Sequence, residues 1–172
     1  MPKSICAVFA ALILVLGVAA VAAGPVSASQ RMANEAVVLQ LINQARTQRG
    51  LAPLHVQAAL RRAALAHSRE MMDREYFSHA SPGGASCGSR ARRAGYATSG
   101  CRSWSVSEAI GWGTGSLGTP HAIFSSWMRS AYHRSIILGR RWRDVGVGCV
   151  SGTFRGASGS WMYTVDVGRR SH

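Results

Sequence analysis

Val145-Gly146-Val147-Gly148-Cys149-Val150 and, downstream, Trp161-Met162-Tyr163-Thr164-Val165-Asp166-Val167 decide the fold. Both runs are rich in β-branched and aromatic residues, and a Gly- and Ser-rich segment separates them, so they predict the two arms of an antiparallel hairpin. Residues 104–112 predict a third strand. Helical patterns surround these strands. Asn34 is a candidate cap, and Val37, Val38, Leu41, Ile42 and Ala45 then recur at helical spacing until Gly50. A second helix is expected over residues 56–73, with Leu60, Ala63, Ala64 and Met71 on its apolar side. After a loop over residues 77–85, a short helix over 89–94 stops at Gly95. Pro120 opens another helix that runs to about Ser130. Helices flanking a small, mostly antiparallel sheet make an α+β domain.

The chain has 172 residues, 20 of them Lys or Arg against 7 Asp or Glu, for a net charge of +13. Lys3, the apolar run over 5–23 and the small residues Val26-Ser27-Ala28 predict a signal peptide over residues 1–28 and export of the protein. A retained membrane anchor is the alternative. Removing the leader takes away Lys3, the single lysine, and leaves 19 arginines and a net charge of +12 on residues 29–172. That length suits one domain with one core. The charge suits anionic surfaces such as phospholipid or a teichoic-type polymer. No basic run alternates with aromatics, which argues against nucleic acid as the partner.

Three cysteines follow the leader. Cys87 and Cys101 flank a Gly-, Ser- and Arg-rich stretch and are the expected disulfide, a closure worth on the order of 3 kcal/mol. Cys149 lies in an apolar strand and reads as a buried thiol. No Cys-x-x-Cys pair is present, which argues against a structural zinc knuckle or thioredoxin chemistry.

Three residues carry candidate chemistry: His79 in Phe77-Ser78-His79, Glu108 within the apolar strand Val106-Ser107-Glu108-Ala109-Ile110-Gly111, and His133 after Trp127-Met128-Arg129-Ser130-Ala131-Tyr132. Two imidazoles and a carboxylate can hold a divalent cation or move protons. Glu108 must be exposed, paired or liganded in such a strand. His133 reads either as a site residue or as a surface residue at the C-terminus of the preceding helix. His67 and Glu70, three apart on the second helix, read as a surface pair. No Gly-x-Ser-x-Gly elbow, phosphate loop or His-Glu-x-x-His motif appears.

These blocks, in order, resemble the bacterial branch of the CAP superfamily (cysteine-rich secretory proteins, antigen 5 and pathogenesis-related 1, also called SCP-like extracellular proteins). The blocks are Leu41-Ile42-Asn43-Gln44-Ala45-Arg46, Ala66-His67-Ser68 through Phe77-Ser78-His79, Ser107-Glu108-Ala109-Ile110-Gly111-Trp112, Trp127-Met128-Arg129-Ser130 with His133, and Val145-Gly146-Val147-Gly148. The resemblance implies an α-β-α sandwich with a central cleft lined by His79, Glu108 and His133. His79 and His133 would there hold a divalent cation, Zn or Mg. It also implies a secreted, extracellular or envelope protein that binds a lipid, a wall polymer or another protein. A metal-dependent hydrolase with Glu108 as base is the alternative. The chain departs from the family pattern at three positions. Ser130 stands where many members carry a second glutamate, Ala109 replaces an asparagine, and Tyr132 replaces a glycine. If that glycine needed positive φ, tyrosine would be strained there.

Overall fold

A computed structural model of the chain describes residues 28–97 and 101–171. The expected leader lies outside these residues, apart from Ala28. In chain order the elements are α1 (Ala28–Thr47), β1 (His55–Val56), α2 (Ala58–Asp73), α3 (Cys87–Arg93), β2 (Ser103–Thr114), α4 (Pro120–Arg129), α5 (Ala131–Ile137), β3 (Asp144–Phe154) and β4 (Ala157–Ser171), with a 3-10 turn, Gly115–Gly118, before α4. The strands form one sheet in the order β1-β3-β4-β2. β1 runs parallel to β3, and the other two pairings are antiparallel.

Period-two alternation sends side chains to two different layers. Val145, Val147, Cys149, Tyr163, Val165 and Val167 pack with Val38 and Ile42 of α1, Ile123 and Trp127 of α4, and Ile136 and Ile137 of α5. The opposite face carries Ile110 and Met162 against Met71 and Met72 of α2. Each large apolar side chain so buried contributes about 1.5–3 kcal/mol. The glycines of Val145-Gly146-Val147-Gly148 are the counterpart of this alternation. A Cβ at Gly146 would lie 2.1 Å from the Leu60 carbonyl carbon, and one at Gly148 would lie 2.2 Å from the Leu65 nitrogen. Only glycine lets the α2 backbone come this close to the sheet. The result is an α-β-α sandwich with helices on both faces.

Three expectations need correction. The Gly- and Ser-rich segment between β3 and β4 is itself strand, and the reversal is a two-residue turn at Arg155 (φ 50°) and Gly156 (φ 79°), the twist that suits hairpins. α1 starts six residues before Asn34. Asn34 Nδ2 donates instead to Tyr163 Oη, so this residue ties helix to sheet rather than capping. The helix opened by Pro120 does end at Ser130, whose extended backbone (φ −80°, ψ 120°) closes α4, while the same residue's hydroxyl accepts from His133 N and opens a further helix, α5. Finally, Cys87 and Cys101 are free thiols. Burial, reinforced by Glu108 and Asp166, pushes the Cys87 thiol up to about 11, which suppresses the thiolate that disulfide exchange needs.

Candidate functional site

Glu108 is the hub of the site. It sits mid-strand on β2 on the α2 side of the sheet and is 3% exposed. His79, from the loop joining α2 to α3, lies with Nδ1 2.8 Å from Glu108 Oε1. Arg90 of α3 donates through Nη2 to Glu108 Oε2 at 2.5 Å and to the His79 carbonyl at 3.0 Å. Its Nη1 donates to the Ala85 carbonyl at 2.7 Å. One guanidinium therefore fixes both the carboxylate and the loop that carries the imidazole. A carboxylate that accepts from Nδ1 leaves Nε2 of His79 as the nitrogen available to a ligand.

His133, in the first turn of α5, stands beside His79 with ring centroids 6.5 Å apart. Burial, reinforced by His79, lowers its pKa and favours the neutral, ligand-competent imidazole. Tyr132 stacks edge-on against both rings and is 61% exposed. Its φ is not positive, so the strain expected from replacing a glycine there is absent. His133 belongs to a helix N-terminus, not to the C-terminus of α4.

His67 is not half of a surface pair. It is fully buried, its Nε2 donates to the Ser78 carbonyl at 3.0 Å, and the same nitrogen lies 3.8 Å from Glu108 Oε2. Burial lowers its pKa against the opposing pull of Glu108. Glu70 does reach the surface. It accepts from Ser81 Oγ (2.6 Å), Tyr76 Oη (2.9 Å) and Arg74 (3.1 Å), and these bonds, led by Ser81, hold its carboxyl below the usual range. Through Ser78 and Ser81, His67 and Glu70 pin the two ends of the segment carrying His79. Asp166 is directly opposite Glu108 in the β2–β4 register and fully buried. Neither of its oxygens has a hydrogen-bond partner among the described residues. Burial, then the neighbouring Glu108 charge, raises its pKa well above the carboxylate range, so it carries its proton.

The donor set fits a metal ion only in part. At Zn–N of about 2.0–2.1 Å, a ring centroid lies about 3.2 Å from a bound zinc, and a tetrahedral angle spaces two centroids about 5.2 Å apart. The 6.5 Å observed is wider, so co-ligation requires the rings to close by roughly 1 Å. Among the described residues, no group of three His, Cys, Asp or Glu is placed to hold a metal. His79 and His133 thus fit at most two positions of a divalent ion. Beside His133 runs a groove of about 520 Å³ whose apolar wall includes Phe77, Trp112, Leu117, Ile123 and Trp127. Trp127 Nε1 donates to the Ile110 carbonyl and locks this wall to β2.

The layered fold and the His-Glu-His cleft together define a class of protein, and comparison with known sequences agrees. Residues 39–166 match the family model for CAP, the cysteine-rich secretory protein family, and the chain belongs to that family. It is 35% identical over 120 residues to the protein YkwD of Bacillus subtilis (strain 168), spanning 69% of this chain but only 43% of that relative. Among solved structures, an outer surface protein from Borrelia burgdorferi has the same fold (TM-score 0.68, 13% identity, 86% of this chain and 98% of that one). So does an extracellular SCP-domain protein from Bacillus anthracis str. Ames (TM-score 0.62, 24% identity, 84% and 44%).

Proposed function

We propose that this chain is a secreted binding module of the cell envelope or its surroundings, whose cleft takes the apolar part of a ligand beside the His79–His133 pair. The observation that carries this reading is the commitment of both Glu108 oxygens, one to His79 and one to Arg90. A carboxylate so engaged orients an imidazole and is not available as the base that a metal-dependent hydrolase needs. The adjoining groove has aromatic and aliphatic walls, which suits a lipid better than a polar wall polymer or a peptide. A divalent cation would be held by His79 and His133 alone. Imidazole ligands suit Zn better than Mg, and with two protein ligands the ion would bind weakly. The leader-like residues 1–28 and the extracellular relatives support export, and the +12 charge supports retention at an anionic surface.

The test is a titration of the chain with a fatty acid below its critical micelle concentration, read by tryptophan fluorescence, since Trp112 and Trp127 line the groove. Saturable quenching is expected. Leu117→Arg, at a position 71% exposed, should weaken binding about tenfold or more without unfolding the domain. Equal binding by both proteins would overturn the groove as the site.

A further inference from the structure

A second concavity lies outside the cleft, between α2 and α3, with a volume of about 700 Å³. Four arginines line it: Arg62 from α2, Arg74 just past its C-terminus, and Arg90 and Arg93 from α3, against the single acid Glu70. Arg90 is spent on Glu108 and Arg74 on Glu70. Arg62 gives one bond to the Ala94 carbonyl, and Arg93 has no side-chain partner among the described residues. Arg62, Arg74 and Arg93 are exposed. The floor between them is alanine: Ala63, Ala66, Ala85 and Ala94.

We infer that this groove binds an acyclic phosphodiester chain, the chemistry of a polyol-phosphate polymer. The inference places the anionic-surface half of the proposed function at one site and does not depend on the lipid cleft. Arg62 on α2 and Arg74 at its C-terminal cap are twelve residues apart, about 18 Å at the helical rise. The two guanidiniums that no carboxylate engages, Arg62 and Arg93, border one end of a groove that runs on past Glu70 to Arg74, which fits a chain continuing beyond its first anionic group rather than one compact ion. A volume of about 700 Å³ over that length averages roughly 40 Å² in cross-section, which admits a thin chain more readily than linked sugar rings. Guanidinium forks match phosphate oxygens in geometry. The alanine floor offers no aromatic ring for a base to stack on, which disfavours single-stranded nucleic acid.

The experiment is calorimetric titration of the intact chain with a synthetic glycerol-phosphate oligomer. The parallel arms are free glycerol 3-phosphate, phosphatidylglycerol vesicles, a carboxylated polysaccharide and single-stranded DNA. Two charge-matched double variants accompany it: Arg62→Gln/Arg93→Gln in the groove, and Arg140→Gln/Arg169→Gln at exposed positions outside it. The inference expects saturable binding of the oligomer, weaker binding in every other arm, and about a tenfold or greater loss in the groove variant only. Equal losses in both variants would mean diffuse charge attraction and would overturn the groove site while leaving the envelope-binding reading intact. Absence of oligomer binding, or equal or tighter binding of vesicles, polysaccharide or DNA, would also overturn it.

Discussion

Replacing Arg90 with Met should be among the most damaging single changes in the domain. Arg90 is 6% exposed and serves four acceptors: Glu108, the carbonyls of His79 and Ala85, and Ser81 Oγ. Methionine nearly preserves the aliphatic stem, so the loss is chiefly electrostatic. It leaves Glu108 buried with no cation and with Asp166 facing it across the strands. Removing one partner of a buried ion pair costs about 3–5 kcal/mol. In a domain of this size that is a fall in Tm of about 10 °C. Urea unfolding at neutral pH measures it. The Arg90→Met/Glu108→Gln double variant removes both charges and should recover about 2 kcal/mol relative to the sum of the single losses. A single-variant loss below about 1 kcal/mol, or additivity within about 0.5 kcal/mol, would refute the claim that Arg90 neutralises Glu108.

The remaining predictions concern packing and pH. Gly148→Ala should cost about 2–4 kcal/mol in chemical denaturation, because its Cβ would meet the α2 backbone rather than a movable side chain. His67 and His133 have lowered pKa values, so below about pH 6.5 the unfolded chain binds protons that the folded chain resists. Their contribution is therefore complete above that pH and is lost as pH falls through their folded pKa values, and His67→Gln should flatten the acid limb of a Tm-against-pH curve. Asp166 acts in the opposite sense: the fold keeps its proton while the unfolded chain releases it above about pH 4, so its contribution worsens as pH rises. Asp166→Asn should therefore raise Tm at neutral pH and lose that advantage on acidification. Cys87 should react with maleimides slowly at neutral pH, as its raised pKa requires, and speed up once the domain is denatured in urea.

The strands were legible because Val-Gly-Val-Gly alternation states both which face packs and which face a helix approaches. β1 was not, since two residues, His55 and Val56, carry no periodicity of their own and pair only because β3 passes beside them. His79, Glu108 and His133 stood out by their settings, and the structure sets them side by side. Their support was harder to see. His67 falls on the stripe of Leu60, Ala63, Ala64 and Met71, which signals burial, but its spacing to Glu70 resembles a solvated pair. Only the loop folding back over α2 settles which. Arg90 sits among Arg92 and Arg93, and its burial depends on Glu108, eighteen residues away on another element. Asp166, flanked by Val165 and Val167, is inside because both faces of the sheet are covered. α5 was hidden because Ser130 both closes one helix and opens the next.

The central claim is that Glu108 positions His79, presenting its Nε2 to the cleft, and does not itself act as a base. Long-range proton–nitrogen correlation of the imidazoles at about pH 8, where a histidine is neutral, reads the tautomer directly. His79 should carry its proton on Nδ1 with Nε2 bare, and Glu108→Gln should shift this population. A His79 protonated on Nε2 in the wild-type chain, or one unmoved by Glu108→Gln, would contradict it.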